Sequence, residues 1–129
     1  DGIAAFIEPG RVLVEINSDK NDPHYQVCMD NLNALKNVRD ARGRELQIET
    51  IHEGDYSVLV YDECRSYINS YLANDAVIVP GYNHERDAWA VETYENIYPE
   101  RTVVQVQISD IAIGGGGVHC ITQQEPKAI

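Results

Sequence analysis

The sequence predicts an α/β fold made of two copies of a strand, strand, helix, strand unit, and three observations support the prediction. The chain repeats itself: Ile3-Ala4-Ala5-Phe6-Ile7 aligns with Ile68-Asn69-Ser70-Tyr71-Leu72, and Val12-Leu13-Val14 with Val77-Ile78-Val79, both at an offset of 65 residues. After each of these strand pairs the apolar positions change from a continuous run to helical spacing. A second run rich in β-branched residues then closes each copy. Self-similarity over tens of residues marks a repeat architecture, in which each unit buries its apolar face against a neighbour.

In the first unit, residues 3–7 and 12–14 form the strand pair. Asn21-Asp22-Pro23 supplies a helix cap and a proline suited to a first turn, and Tyr25, Cys28, Leu32 and Leu35 then recur along one helical face. Gly43 closes the helical stretch, and Leu46 to Ile51 is the last strand. The second unit repeats the order. Residues 68–72 and 77–79 pair, Ala88, Val91, Tyr94 and Ile97 mark a helix, Pro99 stops it, and Thr102 to Ile108 is the final strand. The units fall at approximately 1–64 and 65–129, as parts of one domain.

With 129 residues, 43% of them hydrophobic, the chain can bury one core. Ten basic against 21 acidic side chains give a formal charge of −11, which disfavours nucleic acid and anionic membranes as partners and favours cationic small molecules. No run is long enough to span a membrane, and no basic and apolar leader opens the chain. The first residue is Asp1 rather than Met, which suggests a processed or partial chain.

Three cysteines without a secretory signal are expected as reduced thiols. Cys28 falls on the helical face and fits the core, while Cys64 lies among charged residues. Cys120 follows Gly114-Gly115-Gly116-Gly117-Val118-His119, a segment with two readings: a loop that presents a nucleophilic thiol, or a flexible connection ahead of a strand. A phosphate cradle is excluded, because no lysine and hydroxyl residue follow the glycines. An extended segment would turn His119 to the face opposite Cys120, so His119 is expected to pack rather than act as the base. His24, His52 and His84 lack the paired spacing of zinc ligands, and neither a metal nor a cofactor is expected. Asp62, Glu63, Asp87 and Glu92 are expected as solvated charges.

The string from Gly114 through Cys120 to Ile121-Thr122-Gln123-Gln124-Glu125-Pro126 resembles the catalytic-cysteine segment of the agmatine deiminases, which group with the bacterial-type peptidylarginine deiminases. The resemblance runs the full chain, through residues 66–74, 76–80 and 98–104, and Asp1-Gly2 looks like the continuation of the family's His-x-Asp-Gly motif. Gly117 departs from the pattern, since many members carry Asn there.

The resemblance implies a pentein-type α/β propeller, of which this chain holds about two of five units as its carboxyl-terminal part. It implies Cys120 as nucleophile, Asp1 as a carboxylate contacting the substrate guanidinium, and Gly114, Gly115, Gly116 and Gly117 as the loop supporting the thiol. The expected function is cytoplasmic hydrolysis of agmatine to carbamoylputrescine and ammonia. Arginine or peptidylarginine deimination is the alternative within the class, and a non-catalytic repeat module the alternative outside it. With the motif histidine lying before Asp1, the chain alone is expected to be inactive, and either to self-associate or to pair with an amino-terminal portion.

Overall fold

The structure, a computed structural model, describes residues 2–54 and 63–126. Strands β1 (Ala4–Glu8), β2 (Arg11–Ile16) and β3 (Gln47–His52) form one three-stranded sheet in that order, with helix α1 (His24–Lys36) connecting β2 to β3. The second sheet has the same construction, from β4 (Tyr71–Leu72), β5 (Ala76–Gly81) and β6 (Thr102–Gln107), with helix α2 (Arg86–Ile97) between β5 and β6. In each sheet the first pair is antiparallel and the second parallel. A short helix α3 (Ser109–Ala112) and a 3₁₀ turn at His119–Ile121 complete the chain. Among the described residues no helix is long and apolar enough to cross a membrane.

Both sheets follow the strand, strand, helix, strand order, and β5 begins 65 residues after β2, the offset read from the sequence. The strand pairing departs from the gapless alignment. Val12 pairs with Phe6, yet Val77 pairs with Leu72 rather than with Tyr71, the counterpart of Phe6. A bulge between Phe6 and Glu8 accounts for the one-residue slip, because beyond it Glu8 faces Arg11 just as Ala73 bonds Ala76.

One core joins the two units. Leu13 and Ile51 from the first pack with Tyr67, Ile68, Val77, Val79, Ala90 and Tyr94 from the second. Burying a Val or Leu side chain contributes about 1.5–3 kcal/mol, so these residues hold the sheets together. Polar bonds cross the same seam: Tyr98 donates to the Ile7 carbonyl (3.1 Å), Arg86 to that of Glu53 (3.0 Å) and the Ser66 hydroxyl to that of Gly2 (2.9 Å).

The helices carry the main corrections to the expected packing. In α2 the buried positions are Asp87, Ala90 and Tyr94, so the core face is rotated away from Ala88, which is exposed. Asp87 is therefore no solvated charge. It accepts from the Tyr67 hydroxyl (2.8 Å), the Tyr82 amide (3.0 Å), the His84 amide (3.3 Å) and the Gln107 carboxamide (3.3 Å). Glu63 is likewise largely buried and pairs with Arg65 (3.0 Å), whereas Glu92 is exposed as expected and Asp62 lies outside the described residues. In α1 only Cys28 is buried, and the Asp22 carboxylate accepts from the His24 amide (2.8 Å) at the start of the helix.

Candidate active site

The segment from Ser66 to Ser70 folds as an irregular turn, held by local bonds from the Asn69 amide to the Ser66 carbonyl (3.2 Å) and from the Ser70 amide to that of Ile68 (2.7 Å). Tyrosines from the second unit fasten its outward carbonyls. Tyr82 donates to Ser66 (3.1 Å) and Tyr94 to Tyr67 (3.0 Å). This rigid turn buries Asn69 to 2% exposure and places its carboxamide against the glycine loop.

Both ends of that carboxamide are engaged. Nδ2 donates to the Cys120 sulfur at 3.3 Å, while Oδ1 accepts from the His119 amide (2.9 Å) and the Cys120 amide (3.4 Å). The thiol itself is exposed. Donation from the Gly117 backbone amide, and then from Asn69, holds the Cys120 thiol below the usual cysteine range, against a smaller opposing effect of burial. The other cysteines differ. Burial raises Cys64, and burial with Glu53 and Glu15 nearby pushes Cys28 up to about 11. Of the three, Cys120 alone is held below the ordinary cysteine range.

The four glycines act differently in shaping this site. Gly115 adopts φ +81°, in the left-handed region. A Cβ on Gly116 would stand 3.2 Å from the Cys120 sulfur, and one on Gly117 would stand 2.7 Å from Asn69 Oδ1. Gly114 only approaches the Ile111 carbonyl. The absence of a side chain at Gly117 is therefore what lets the loop sit on Asn69.

His119 is not in a strand. It opens the 3₁₀ turn, where successive residues are roughly 120° apart around the axis, so the expected opposition of faces between His119 and Cys120 does not apply. The His119 side chain is half-buried and lines a cavity of about 280 Å³ with Ala5, Phe6, Ile68 and Gln124. Asp1 lies outside the described residues. Its neighbour Gly2 is bonded to Ser66, three residues before Asn69, in the turn that holds the thiol. The partnership of Asn69 with Cys120 has no local signal in the sequence, because the two are 51 residues apart.

The sequence profile of the Porphyromonas-type peptidyl-arginine deiminase family matches residues 1–126. A Legionella pneumophila (strain Paris) protein with a provisional agmatine deiminase name is 40% identical over 130 residues, covering 99% of this chain and 38% of its own length. The agmatine deiminase of Ectopseudomonas mendocina (strain ymp) is 32% identical over 145 residues, covering 98% of this chain and 39% of its own. Among solved structures, the agmatine deiminase of Enterococcus faecalis catalysing its reaction superposes with a TM-score of 0.88 at 32% identity, over 99% of this chain and 40% of that one. The chain thus spans roughly two fifths of the length of the relatives it matches.

Proposed function

Because the chain belongs to the Porphyromonas-type peptidyl-arginine deiminase family, we propose that it carries the nucleophile of a deiminase that converts agmatine and water to carbamoylputrescine and ammonia. The observation that supports this best is a single exposed thiol with two donors aimed at its sulfur, Gly117 N–H and Asn69 Nδ2. A guanidinium carbon resists direct attack by water, and a thiolate divides the reaction into two easier displacements.

In the first step the Cys120 sulfur bonds to the guanidinium carbon, one nitrogen takes up a proton, and ammonia departs to leave an amidino-thioether. In the second, water adds to the same carbon and the C–S bond breaks, so that the sulfur leaves as thiolate and the carbon becomes a urea. The donors that stabilise the free thiolate also stabilise the sulfur as it leaves. Asp1 is the proposed carboxylate that grips the planar cation through paired hydrogen bonds, and the acidic surface favours a cationic substrate. The agmatine deiminase names of the relatives favour agmatine over arginine or a peptidyl arginine.

We read the chain as the carboxyl-terminal portion of a pentein-type domain that works in the cytoplasm. Apolar side chains exposed on both units, among them Phe6, Leu72, Val104, Val106 and Ile121, are surfaces that the remaining portion or a second copy would cover. The 129 residues alone are expected to release no ammonia.

The test uses the full-length protein. A haloacetamidine should modify Cys120 and spare Cys28 and Cys64, Cys120→Ser should abolish ammonia release, and agmatine should be preferred over arginine and an arginyl peptide. Retained turnover in the serine variant, or labelling at Cys64 instead, removes the nucleophile assignment. Labelling without turnover of any of the three substrates favours the non-catalytic module, and preference for arginine moves the substrate within the class.

A further inference from the structure

We propose a second site, for a zinc-type divalent metal ion, between the end of β3 and the start of α1, with His24, Glu53 and Asp22 as ligands and Cys28 and Glu15 lining the space beneath. One donor atom from each of Asp22, His24 and Glu53 lies within 4.8 Å of the other two. His24 Nδ1 and Glu53 Oε2 are 3.5 Å apart, close to the about 3.4 Å that separates two ligands of a tetrahedral zinc with bonds of about 2.1 Å.

Glu53 is fixed for such a role. Its side chain is 4% exposed, and Asn17 Nδ2 donates to Oε1, leaving Oε2 toward the imidazole. An outer donor of this kind orients a metal-binding carboxylate. Asp22 is oriented in the same way by the His24 amide, which bonds one oxygen and leaves the other for a ligand.

A second observation concerns the space beside this cluster. A cavity of about 240 Å³ lies alongside it, lined by Ile3, Glu15, His24, Val27, Cys28 and Glu53. Glu15 is 8% exposed, and its Oε1 is buried without a hydrogen-bond partner. The Cys28 sulfur is 3.9 Å from Glu53 Oε2. Among the described residues no lysine or arginine forms an ion pair with Glu15 or Glu53. Buried carboxylates normally have a paired cation or a metal, and the cavity beside Glu15 and Glu53 has room for one.

The donor chemistry selects the ion. An imidazole nitrogen with carboxylate oxygens and a thiol in reach suits zinc or cobalt, whereas magnesium and calcium prefer all-oxygen sets. Such an ion would pin the start of α1, a helix that buries only Cys28. The sequence conceals this site because Glu53 lies 29 residues beyond His24 and no paired spacing announces it.

The experiment uses the full-length protein carrying Cys120→Ser, so that the nucleophile cannot itself bind metal. After chelator treatment, zinc chloride is titrated by calorimetry and the melting temperature followed. One saturable zinc per chain with a raised melting temperature is expected, weakened at least about tenfold in His24→Ala and in Glu53→Gln. His24 is about half exposed, so its alanine variant keeps the fold, and it separates lost ligation from lost structure. No saturable binding, or equal affinity in His24→Ala and its parent, overturns the site. So does magnesium binding as tightly as zinc.

Discussion

Replacing Asn69 by alanine tests whether the buried carboxamide activates the thiol or only holds the loop. The substitution removes the donor 3.3 Å from the Cys120 sulfur and the acceptor of the His119 and Cys120 amides. A hydrogen bond to a charged group contributes about 1.5–3 kcal/mol, and about 1.4 kcal/mol is a factor of ten in an ionisation equilibrium. The sign follows from which form is stabilised. Asn69 donates to the anion and holds the thiol below its usual range, so its loss raises the thiol pKa and reduces the thiolate fraction at every pH below it. Alkylation of Cys120 by iodoacetamide near neutral pH should therefore slow about tenfold. In strong base, where the thiol is ionised in both proteins, the two rates should converge. The loop should survive, because the His119 amide also bonds the Asn69 main-chain carbonyl (3.2 Å), although stability should fall by about 2 kcal/mol. Rates measured by mass spectrometry across the pH range decide the matter. A slowing that persists undiminished at high pH means blocked access rather than lost ionisation, and equal rates at all pH mean that Asn69 does not act on the sulfur.

Three further outcomes are expected. Asp87→Ala should cost about 3–5 kcal/mol in urea denaturation, because the buried Tyr67 hydroxyl and Tyr82 amide lose their shared acceptor; a loss below about 1 kcal/mol would contradict that role. Gly117→Ala drives a Cβ into Asn69 and should lower stability by about 1–3 kcal/mol and slow Cys120 alkylation together, whereas a neutral effect on both would show that the loop gives way freely. Ser66→Ala frees the Gly2 carbonyl, a bond of about 1 kcal/mol, and in the full-length protein should raise the KM for agmatine about fivefold with kcat little changed. A fall in kcat alone would place Ser66 with the nucleophile instead.

Elements dictated by local pattern were visible in the sequence, because a strand run or a helical stripe is written in neighbouring residues. Strand β5 and the helix marked by Ala88, Val91, Tyr94 and Ile97 are examples. What depended on distant partners was hidden. Asp87 occupies the first turn of α2, where an acidic residue commonly faces solvent, and only Tyr67 and Tyr82 folding over it make it a core acceptor. The rotation of α2 away from Ala88 has the same origin, since the face carrying Asp87 also carries Tyr94. His119 was misplaced for a different reason: after a glycine run the local pattern does not separate an extended exit from a tight turn. Cys120 could be picked out from its loop, but the donor that acts on its sulfur could not.

The turn at Ser66-Tyr67-Ile68-Asn69 explains how two units of modest size present one site. Each of three side chains faces a different task. Ser66 bonds Gly2 of the first unit, Tyr67 anchors on Asp87 of α2, and Asn69 grips the thiol loop. The turn is itself clamped by Tyr82 and Tyr94, so none of the three can shift without disturbing a fully buried residue. A nucleophile on a glycine loop has little intrinsic rigidity, and positional errors of about 1 Å can cost a hundredfold in rate. The glycines provide close approach, and the buried turn provides the fixed reference against which the thiol is placed. Gly2 and Cys120 are therefore both tied to one tetrapeptide, which makes the internal repeat's irregular segment, not its matching strands, the part that defines the site.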